Sequence, residues 1–265
     1  MESPLDSEGI DKTNRERFGG NLVYRSDNIC NTAPLSSKKY FDVLSRRKHE
    51  LTIKYCRGGV VLDVCCGTGG RLFALGEKIK VGVGVDFTKD FIREAQERAN
   101  IQGHSNLSFI CGSARELPVS SQSADLAYCF SSLYTIPNVA EVIAEMSRVL
   151  KPDGYCILDF GNRFSVNTLV SRAHPELARH RHLSIRAMRK AMAAANLRPV
   201  ERRCFQLLPL WSDRPRWLYP LLWPGWIQIM EKQICGRMID EWISNLPGLR
   251  NLAFRQIYIC GKGEA

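Results

Sequence analysis

The sequence lacks the signals of several large protein classes. No apolar run approaches the roughly 20 residues that a helix needs to cross a bilayer, and the opening MESPLDSEGIDKTNRERF is too polar for a signal peptide. The ten cysteines are scattered, and no C-x-x-C pair occurs among them. We therefore expect no metal site and no disulfide framework. Reduced, mostly buried thiols in a cytoplasmic protein are predicted instead.

The charge is unevenly distributed. The net charge of the 265 residues is +10, but residues 58–165 carry −2 and residues 166–265 carry +9, together with all five tryptophans. This division predicts three parts of the chain. They are an N-terminal arm and helix covering the ligand site (1–57), a ligand-binding core (58–165), and the remaining core elements with an acceptor-binding lid (166–265).

Apolar strands alternate with amphipathic helices along the middle of the chain. The predicted strands are 60–65, 81–87, 107–113, 124–130 and 155–160, and the helices between them are 68–78, 88–102 and 138–150. Outside this region we predict helices at 36–56, 184–196 and 227–244 and strands at 198–210 and 252–263. Such a pattern predicts an α/β fold, a doubly wound (Rossmann-like), mostly parallel seven-stranded sheet with helices on both faces and an added C-terminal Trp/Pro-rich segment.

The segment VVLDVCCGTGGRL (60–72) joins a buried strand to a glycine turn. It has neither the complete G-x-G-x-x-G of a dinucleotide site nor the G-K-[ST] of a phosphate-binding loop. Asp63 lies in the strand, and Asp86 ends the next strand, where a carboxylate can accept hydrogen bonds from both ribose hydroxyls. An acid beside the turn would repel a pyrophosphate. The pattern predicts a nucleoside ligand that carries positive charge.

Five segments resemble, in order, the motifs of the class I S-adenosylmethionine-dependent methyltransferases, and are closest to the methyltransferase type 11 group. They are LDVCCGTGG, VGVDF, GSARELP, ADLAYCFSSLY and EMSRVLKPDG. The resemblance implies S-adenosylmethionine as the cofactor. This sulfonium has a ribose, no phosphates and a positive centre, as the turn requires.

The resemblance also implies which residues contact the cofactor. The first motif would face the methionine part, the second the ribose and adenine, the third the adenine ring, and the fourth the methionine again. The residues implied are Asp63, Cys65, Gly67, Thr68, Gly69, Asp86, Phe87, Ser113, Ala114, Phe130 and Ser131.

Two positions depart from the family pattern. Cys65 stands where the family usually has glycine, so the turn must accept a Cβ, as it does in relatives with Cys-Cys-Gly-Thr that methylate quinones. Ser113 replaces an aspartate. We expect weaker or differently arranged contact with the adenine amino group.

Catalysis needs few protein groups, because the sulfonium supplies the electrophile and the protein aligns the acceptor. A general base is needed only when the acceptor must lose a proton. Tyr134, which follows the fourth motif, and His182, in the cluster RAHPELARHRH, are the candidates. Simple packing for Tyr134 and a solvated basic loop for His182 are the alternative interpretations.

The tryptophan segment (residues 211–242) has two interpretations. It can complete the core, or it can form a lid over the acceptor and touch a membrane surface, since Trp and Tyr favour interfaces and Arg214 and Arg216 suit anionic headgroups. We predict a small-molecule or lipid-linked acceptor, such as a sugar or secondary metabolite, methylated on oxygen. The alternatives are C-methylation of a quinone-type isoprenoid, and an RNA-binding methyltransferase or inactive cofactor-binding module. Nucleic acid is disfavoured because no Asn-Pro-Pro-Tyr motif follows the fourth strand.

Overall fold

A computed structural model describes residues 38–174 and 180–263 of the chain. The strands of this part are β1 (Val60–Val64), β2 (Val81–Asp86), β3 (Leu107–Cys111), β4 (Ala124–Cys129), β5 (Leu150–Gly161), β6 (Leu197–Phe205), β7 (Gln233–Ile234), β8 (Arg237–Met238) and β9 (Arg255–Lys262). Its α-helices are α1 (Lys38–Cys56), α2 (Gly70–Leu75), α3 (Lys89–Gln102), α4 (Val139–Val149), α5 (Val166–Ser171), α6 (Ile185–Ala194), α7 (Tyr219–Leu222), α8 (Gly225–Met230) and α9 (Ile239–Ser244). The predicted arm before residue 38 lies outside the described residues.

Seven of these strands form one sheet in the order β3-β2-β1-β4-β5-β9-β6. The five from β3 to β5 are parallel, whereas β9 runs antiparallel to both of its neighbours. The strand order reverses at β1, so the carboxyl ends of β1 and β4 border the crevice where doubly wound folds bind ligands. The predicted fold class is confirmed.

Apolar side chains cover both faces of the sheet. On one face, α1 and α3 bury Leu44 and Ile92 in a cluster with Leu126 of β4. On the other face, α4 and α6 bury residues such as Met146 and Met192. Each such side chain contributes about 1.5–3 kcal/mol when fully buried. Because the helices fix the strands from both sides, the loops at the strand ends are held in a defined geometry.

Two predicted elements differ from the structure. The helix predicted at 227–244 is wrong: a β7–β8 hairpin separates α8 from α9. Cys235 and Gly236 form its turn with φ of 50° and 73°, the left-handed values of a tight hairpin that interrupt any helix. The residues KPDG (151–154), which separate a predicted helix from a predicted strand, lie within β5, where the pairing with β4 shifts register between Ala124 and Leu126.

The described part of the chain holds no helix that is both long and apolar enough to cross a membrane. It also brings no group of three or more His, Cys, Asp or Glu side chains together as metal ligands. The cysteines in this part are all free thiols.

Candidate functional site

The glycine turn between β1 and α2 is tied to the neighbouring strand. The backbone N–H groups of Cys65 and Cys66 donate to the carbonyl oxygen of Val85 at 2.8 and 3.1 Å. Cys65 has a φ of 63°, so a side chain occupies a left-handed position that favours glycine. The turn therefore accepts a Cβ at this position, and its backbone is anchored on β2.

Gly69 illustrates why the turn needs glycine. Its φ is 76°, and a Cβ there would lie 2.4 Å from Cε1 of Phe109. We predict that Gly69→Ala lowers the free energy of unfolding by about 2–4 kcal/mol, from overpacking and the left-handed backbone together. Gly70→Ala is the matched control, because no atom lies within 4 Å of that Cβ. Equal urea midpoints for the two variants would contradict this account.

Asp86, the residue predicted to bind the ribose, lies at the end of β2. The residue is 7% exposed, and its two carboxylate oxygens accept from the N–H groups of Gly67 (3.0 Å) and Thr88 (2.9 Å). Burial raises the pKa of this carboxyl, and the backbone donors oppose that rise. Each oxygen has a second lone pair, so the carboxylate can still accept two hydroxyl hydrogens.

Asp63 lies deeper in the same crevice. It is 3% exposed and accepts a hydrogen bond from the hydroxyl of Tyr128 at 3.1 Å. Burial raises the pKa of its carboxyl to about 7, although the nearby Arg71 and the Tyr128 hydroxyl act in the opposite direction. A bound cation would hold this carboxyl ionised.

Phe130 forms a wall beside these acids. The Arg71 guanidinium carbon and the Lys48 ammonium nitrogen lie 4.8 and 5.2 Å from the centroid of its ring. The crevice thus carries charges of both signs. The methionine part of the predicted cofactor, with its carboxylate, ammonium and sulfonium groups, fits such a wall.

The residues predicted to border the adenine lie at the ends of β2 and β3. The Gly112 N–H donates to the Asp86 carbonyl at 2.9 Å, which brings the third motif against the second. The hydroxyl oxygen of Ser113 accepts the N–H of Arg115 at 3.2 Å and so stabilises its own turn. Phe87 and Ala114 are partly buried, and Thr68 is buried within the glycine turn.

A buried charge cluster next to this site was not predicted from the sequence. The carboxylate oxygen Oδ2 of Asp159 accepts from Lys48 Nζ (2.7 Å), Arg255 Nη1 (2.5 Å) and the Ser131 N–H (3.1 Å). The Ser131 hydroxyl oxygen lies 2.8 Å from Lys48 Nζ and 3.0 Å from Arg255 Nη1. One carboxylate therefore faces two buried cations.

The electrostatics of this charge cluster follow from its burial. Burial and the neighbouring Arg255 lower the pKa of Lys48 to about 7, against the pull of Asp159. For Asp159 the two cations outweigh burial and lower the pKa of its carboxyl. A sequence signal existed: Lys48 follows Leu44 by four residues and precedes Leu51 by three, which places a lysine on the apolar face of α1.

The two candidate catalytic residues lie together beyond the ends of β4 and β5. The ring centroids of Tyr134 and His182 are 6.0 Å apart, and His180 packs edge-on against Tyr134 at 5.1 Å. Phe254, which precedes Arg255, lies 5.0 Å from the His182 ring. The His182 ring is therefore packed against aromatic side chains and is not part of a solvated loop.

Comparison with known proteins decides the family. The sequence model of a methyltransferase-domain family matches residues 57–214, more than half of the chain. The chain belongs to this methyltransferase family. The predicted class I S-adenosylmethionine-dependent methyltransferase family is thereby confirmed, and the match contains the five motifs described above.

Curated relatives match only part of their own length. The chain is 35% identical to the demethylmenaquinone methyltransferase of Bacillus velezensis over 103 residues, 38% of this chain and 44% of that protein. It is 31% identical to the enzyme of the same name from Lactococcus lactis over 141 residues, 49% of this chain and 56% of that protein. The matches thus span about half the length of these relatives.

Solved structures share the fold. The geranyl diphosphate C-methyltransferase of Streptomyces coelicolor superposes with a TM-score of 0.62 and 16% identity, covering 96% of this chain and 98% of that chain. The magnesium protoporphyrin IX methyltransferase of Synechocystis gives a TM-score of 0.61 at 14% identity, covering 99% and 100%. The first structure contains S-adenosyl-L-homocysteine and the second S-adenosylmethionine, the cofactor predicted for this methyltransferase.

Proposed function

We propose that this methyltransferase moves the methyl group of S-adenosylmethionine to a ring carbon of a quinone-type isoprenoid. The observation that carries this proposal is the similarity to demethylmenaquinone methyltransferases. The chain belongs to a methyltransferase family and is about one-third identical to these enzymes over the cofactor-binding core. These relatives favour the quinone alternative over the sugar or secondary-metabolite O-methylation that we predicted first.

The residues of the site have distinct roles in this proposal. S-adenosylmethionine supplies the electrophilic methyl group when bound. Asp86 would accept the ribose hydroxyls, while the turn at Gly67 and Gly69 would let the backbone approach the nucleoside. Asp63 suits the ammonium of the methionine part and Arg71 its carboxylate. Phe130 would exclude water beside the sulfonium.

An acceptor comparison tests the proposed function. The full chain is incubated with S-adenosylmethionine and one of three acceptors: reduced demethylmenaquinone in lipid vesicles, a monosaccharide, or transfer RNA. We expect release of S-adenosylhomocysteine with the quinol alone, and its loss in the Asp86→Ala variant. Turnover with the sugar or the RNA, and none with the quinol, would contradict the proposal.

The ionisation of Asp63 predicts a pH dependence of cofactor binding. An ammonium needs the ionised carboxylate, but the carboxyl of the free protein has a pKa of about 7 and is protonated below it. We expect the affinity for S-adenosylhomocysteine to fall about tenfold from pH 8 to pH 6, with proton release on binding at pH 6. Calorimetry in buffers of different ionisation enthalpy measures both effects. In Asp63→Asn, which keeps an acceptor for Tyr128, the affinity should be weaker and independent of pH; an unchanged pH dependence would contradict this role.

We also propose that the tryptophan segment lies against an anionic lipid surface, where an isoprenoid acceptor resides. Trp217 (70% exposed), Tyr219 (58%) and Trp223 (46%) project into solvent, and the exposed Arg214 and Arg216 lie beside them. Trp211 joins this segment to α5 beyond the end of β5, because its indole N–H donates to Asn167 Oδ1 at 2.9 Å. Exposed aromatics with flanking arginines are typical of interfacial binding.

Vesicle co-sedimentation tests the membrane proposal. We expect salt-sensitive binding to phosphatidylglycerol vesicles, reduced in the double variant Trp217→Ser, Trp223→Ser. Ile101→Ser is the control, because Ile101 is 84% exposed on α3, outside this segment. Equal binding by the double variant and the control would overturn the proposal.

A further inference from the structure

The His182 ring is held against the carboxyl end of β5. Gly161, the last residue of β5, makes room for it, since a Cβ there would lie 2.7 Å from His182 Cδ2. The residue after His182 is also bonded to β5, because the Leu183 N–H donates to the Gly161 carbonyl at 3.0 Å. Gly161 lies directly opposite Arg255 of β9 in the sheet register. The imidazole therefore lies over the residue of β5 that pairs with Arg255, a member of the charge cluster.

The hydrogen bonds of Thr168 favour one position of the hydrogen on the His182 ring. The Thr168 hydroxyl oxygen lies 2.6 Å from the Asn162 carbonyl oxygen and 2.7 Å from His182 Nδ1. Two oxygens 2.6 Å apart need a hydrogen between them, and a carbonyl cannot donate one. The hydrogen of the Thr168 hydroxyl therefore points to the Asn162 carbonyl. Ser165 Oγ lies 2.9 Å from the same carbonyl oxygen and 3.1 Å from Thr168 Oγ1, so it can donate its one hydrogen to either. The hydrogen between Thr168 and His182 must come from Nδ1, which leaves the lone pair on Nε2.

That lone pair has no partner among residues 38–174 and 180–263, and Nε2 is shielded from solvent. Burial lowers the pKa of the imidazole to about 4, with no charged side chain among the causes. The titratable groups that face the ring are Tyr134 and His180. The ring is consequently neutral at physiological pH, and Nε2 has a lone pair that can accept a proton.

We propose that His182 Nε2 accepts the hydroxyl proton of the acceptor during methyl transfer, with Thr168 as the residue that positions it. The inference rests on the proposed function and narrows its substrate class. The acceptor carries an ionisable hydroxyl on the ring that is methylated. Amines and thioethers, whose lone pairs react directly, need no such base.

The step balances as a substitution on a hydroxylated ring. The ring carbon forms a bond to the methyl group, and the carbon–sulfur bond breaks with its electron pair going to sulfur. As the ring gives up electrons its hydroxyl becomes strongly acidic, so even a weakly basic imidazole can take the proton. The ring carbon then loses its hydrogen, which returns to the oxygen, and His182 releases its proton to water. One proton is liberated for each methyl group transferred.

Kinetics with reduced demethylmenaquinone in vesicles test the catalytic role. His182→Phe keeps an aromatic ring against Phe254 and removes the lone pair. We expect kcat to fall about 100-fold or more, with KM for S-adenosylmethionine and the urea midpoint unchanged. Imidazole should partly restore kcat in His182→Ala. A kcat for His182→Phe within threefold of the parent value would overturn the proposal.

Thr168 and the ring tautomer supply the remaining tests. Thr168→Val removes the acceptor for Nδ1–H and should lower kcat about tenfold, whereas Thr168→Ser should stay near the parent value. Nitrogen chemical shifts of His182 at pH 7 should show hydrogen on Nδ1 and a bare Nε2. A hydrogen on Nε2 would refute the inference without any acceptor being present. Failure of the parent to methylate the quinol would instead refute the proposed function.

Discussion

Replacing Asp86 by alanine should weaken the binding of S-adenosylhomocysteine about 100-fold or more, because two hydrogen bonds to a buried carboxylate are lost at about 1.5–3 kcal/mol each. Part of the lost affinity would come from the glycine turn, because the Gly67 N–H would also lose its acceptor and the turn would be less well held. Isothermal calorimetry on the full chain measures this affinity.

Asp90→Ala is the control for Asp86. Asp90 lies in the first turn of α3 and makes an exposed ion pair with Arg93 at 2.9 Å, so its removal should leave the affinity unchanged. The urea midpoint of each variant separates loss of binding from loss of folding. A folded Asp86→Ala protein that binds as tightly as the parent would contradict the assignment of this carboxylate to the ribose.

Replacing Asp159 by leucine should produce the largest loss of stability among the changes considered. Arg255 would remain buried with no counter-ion, and Lys48 beside it would lose the carboxylate that now raises its pKa. Removing one partner of a buried charge network typically costs about 3–5 kcal/mol. Denaturant unfolding at pH 7.5 measures the loss, and we expect weaker cofactor binding as well because Ser131 loses the acceptor of its N–H.

The double variant Lys48→Met, Asp159→Leu separates charge from packing. It removes one cation together with the carboxylate, so it should be more stable than Asp159→Leu alone. Asp90→Ala again serves as the exposed control, with an expected change of about 0.5 kcal/mol or less. If Asp159→Leu lost no more stability than Asp90→Ala, the charge cluster would have no structural importance.

The glycine turn between β1 and α2 was predictable because its signals are local. The buried strand that contains Asp63, the glycines that follow it and the acid at Asp86 lie within a short stretch, and parallel strands bring their carboxyl ends to one edge. The charge cluster was not predicted, because Lys48 and Arg255 are separated from Asp159 by 111 and 96 residues in the chain. The local sequence indicated the charge cluster only by a lysine on the apolar face of a helix.

The C-terminal third shows a different limit of sequence analysis. The apolar spacing of residues 227–244 suggested one helix, but two left-handed residues at Cys235 and Gly236 divide it. Cysteine has no marked preference for that conformation, so the turn was hidden in the pattern. The pairing of Thr168 with His182 depends equally on tertiary structure. It became visible only when α5 was placed against the end of β5.

A crystal structure of the full chain with S-adenosylhomocysteine tests the central claim most directly. We predict both ribose hydroxyls within hydrogen-bond distance of the Asp86 carboxylate and the ammonium group at Asp63, with the sulfur beside Phe130. Ligand density elsewhere on the sheet, or a ribose that makes no contact with Asp86, would contradict it.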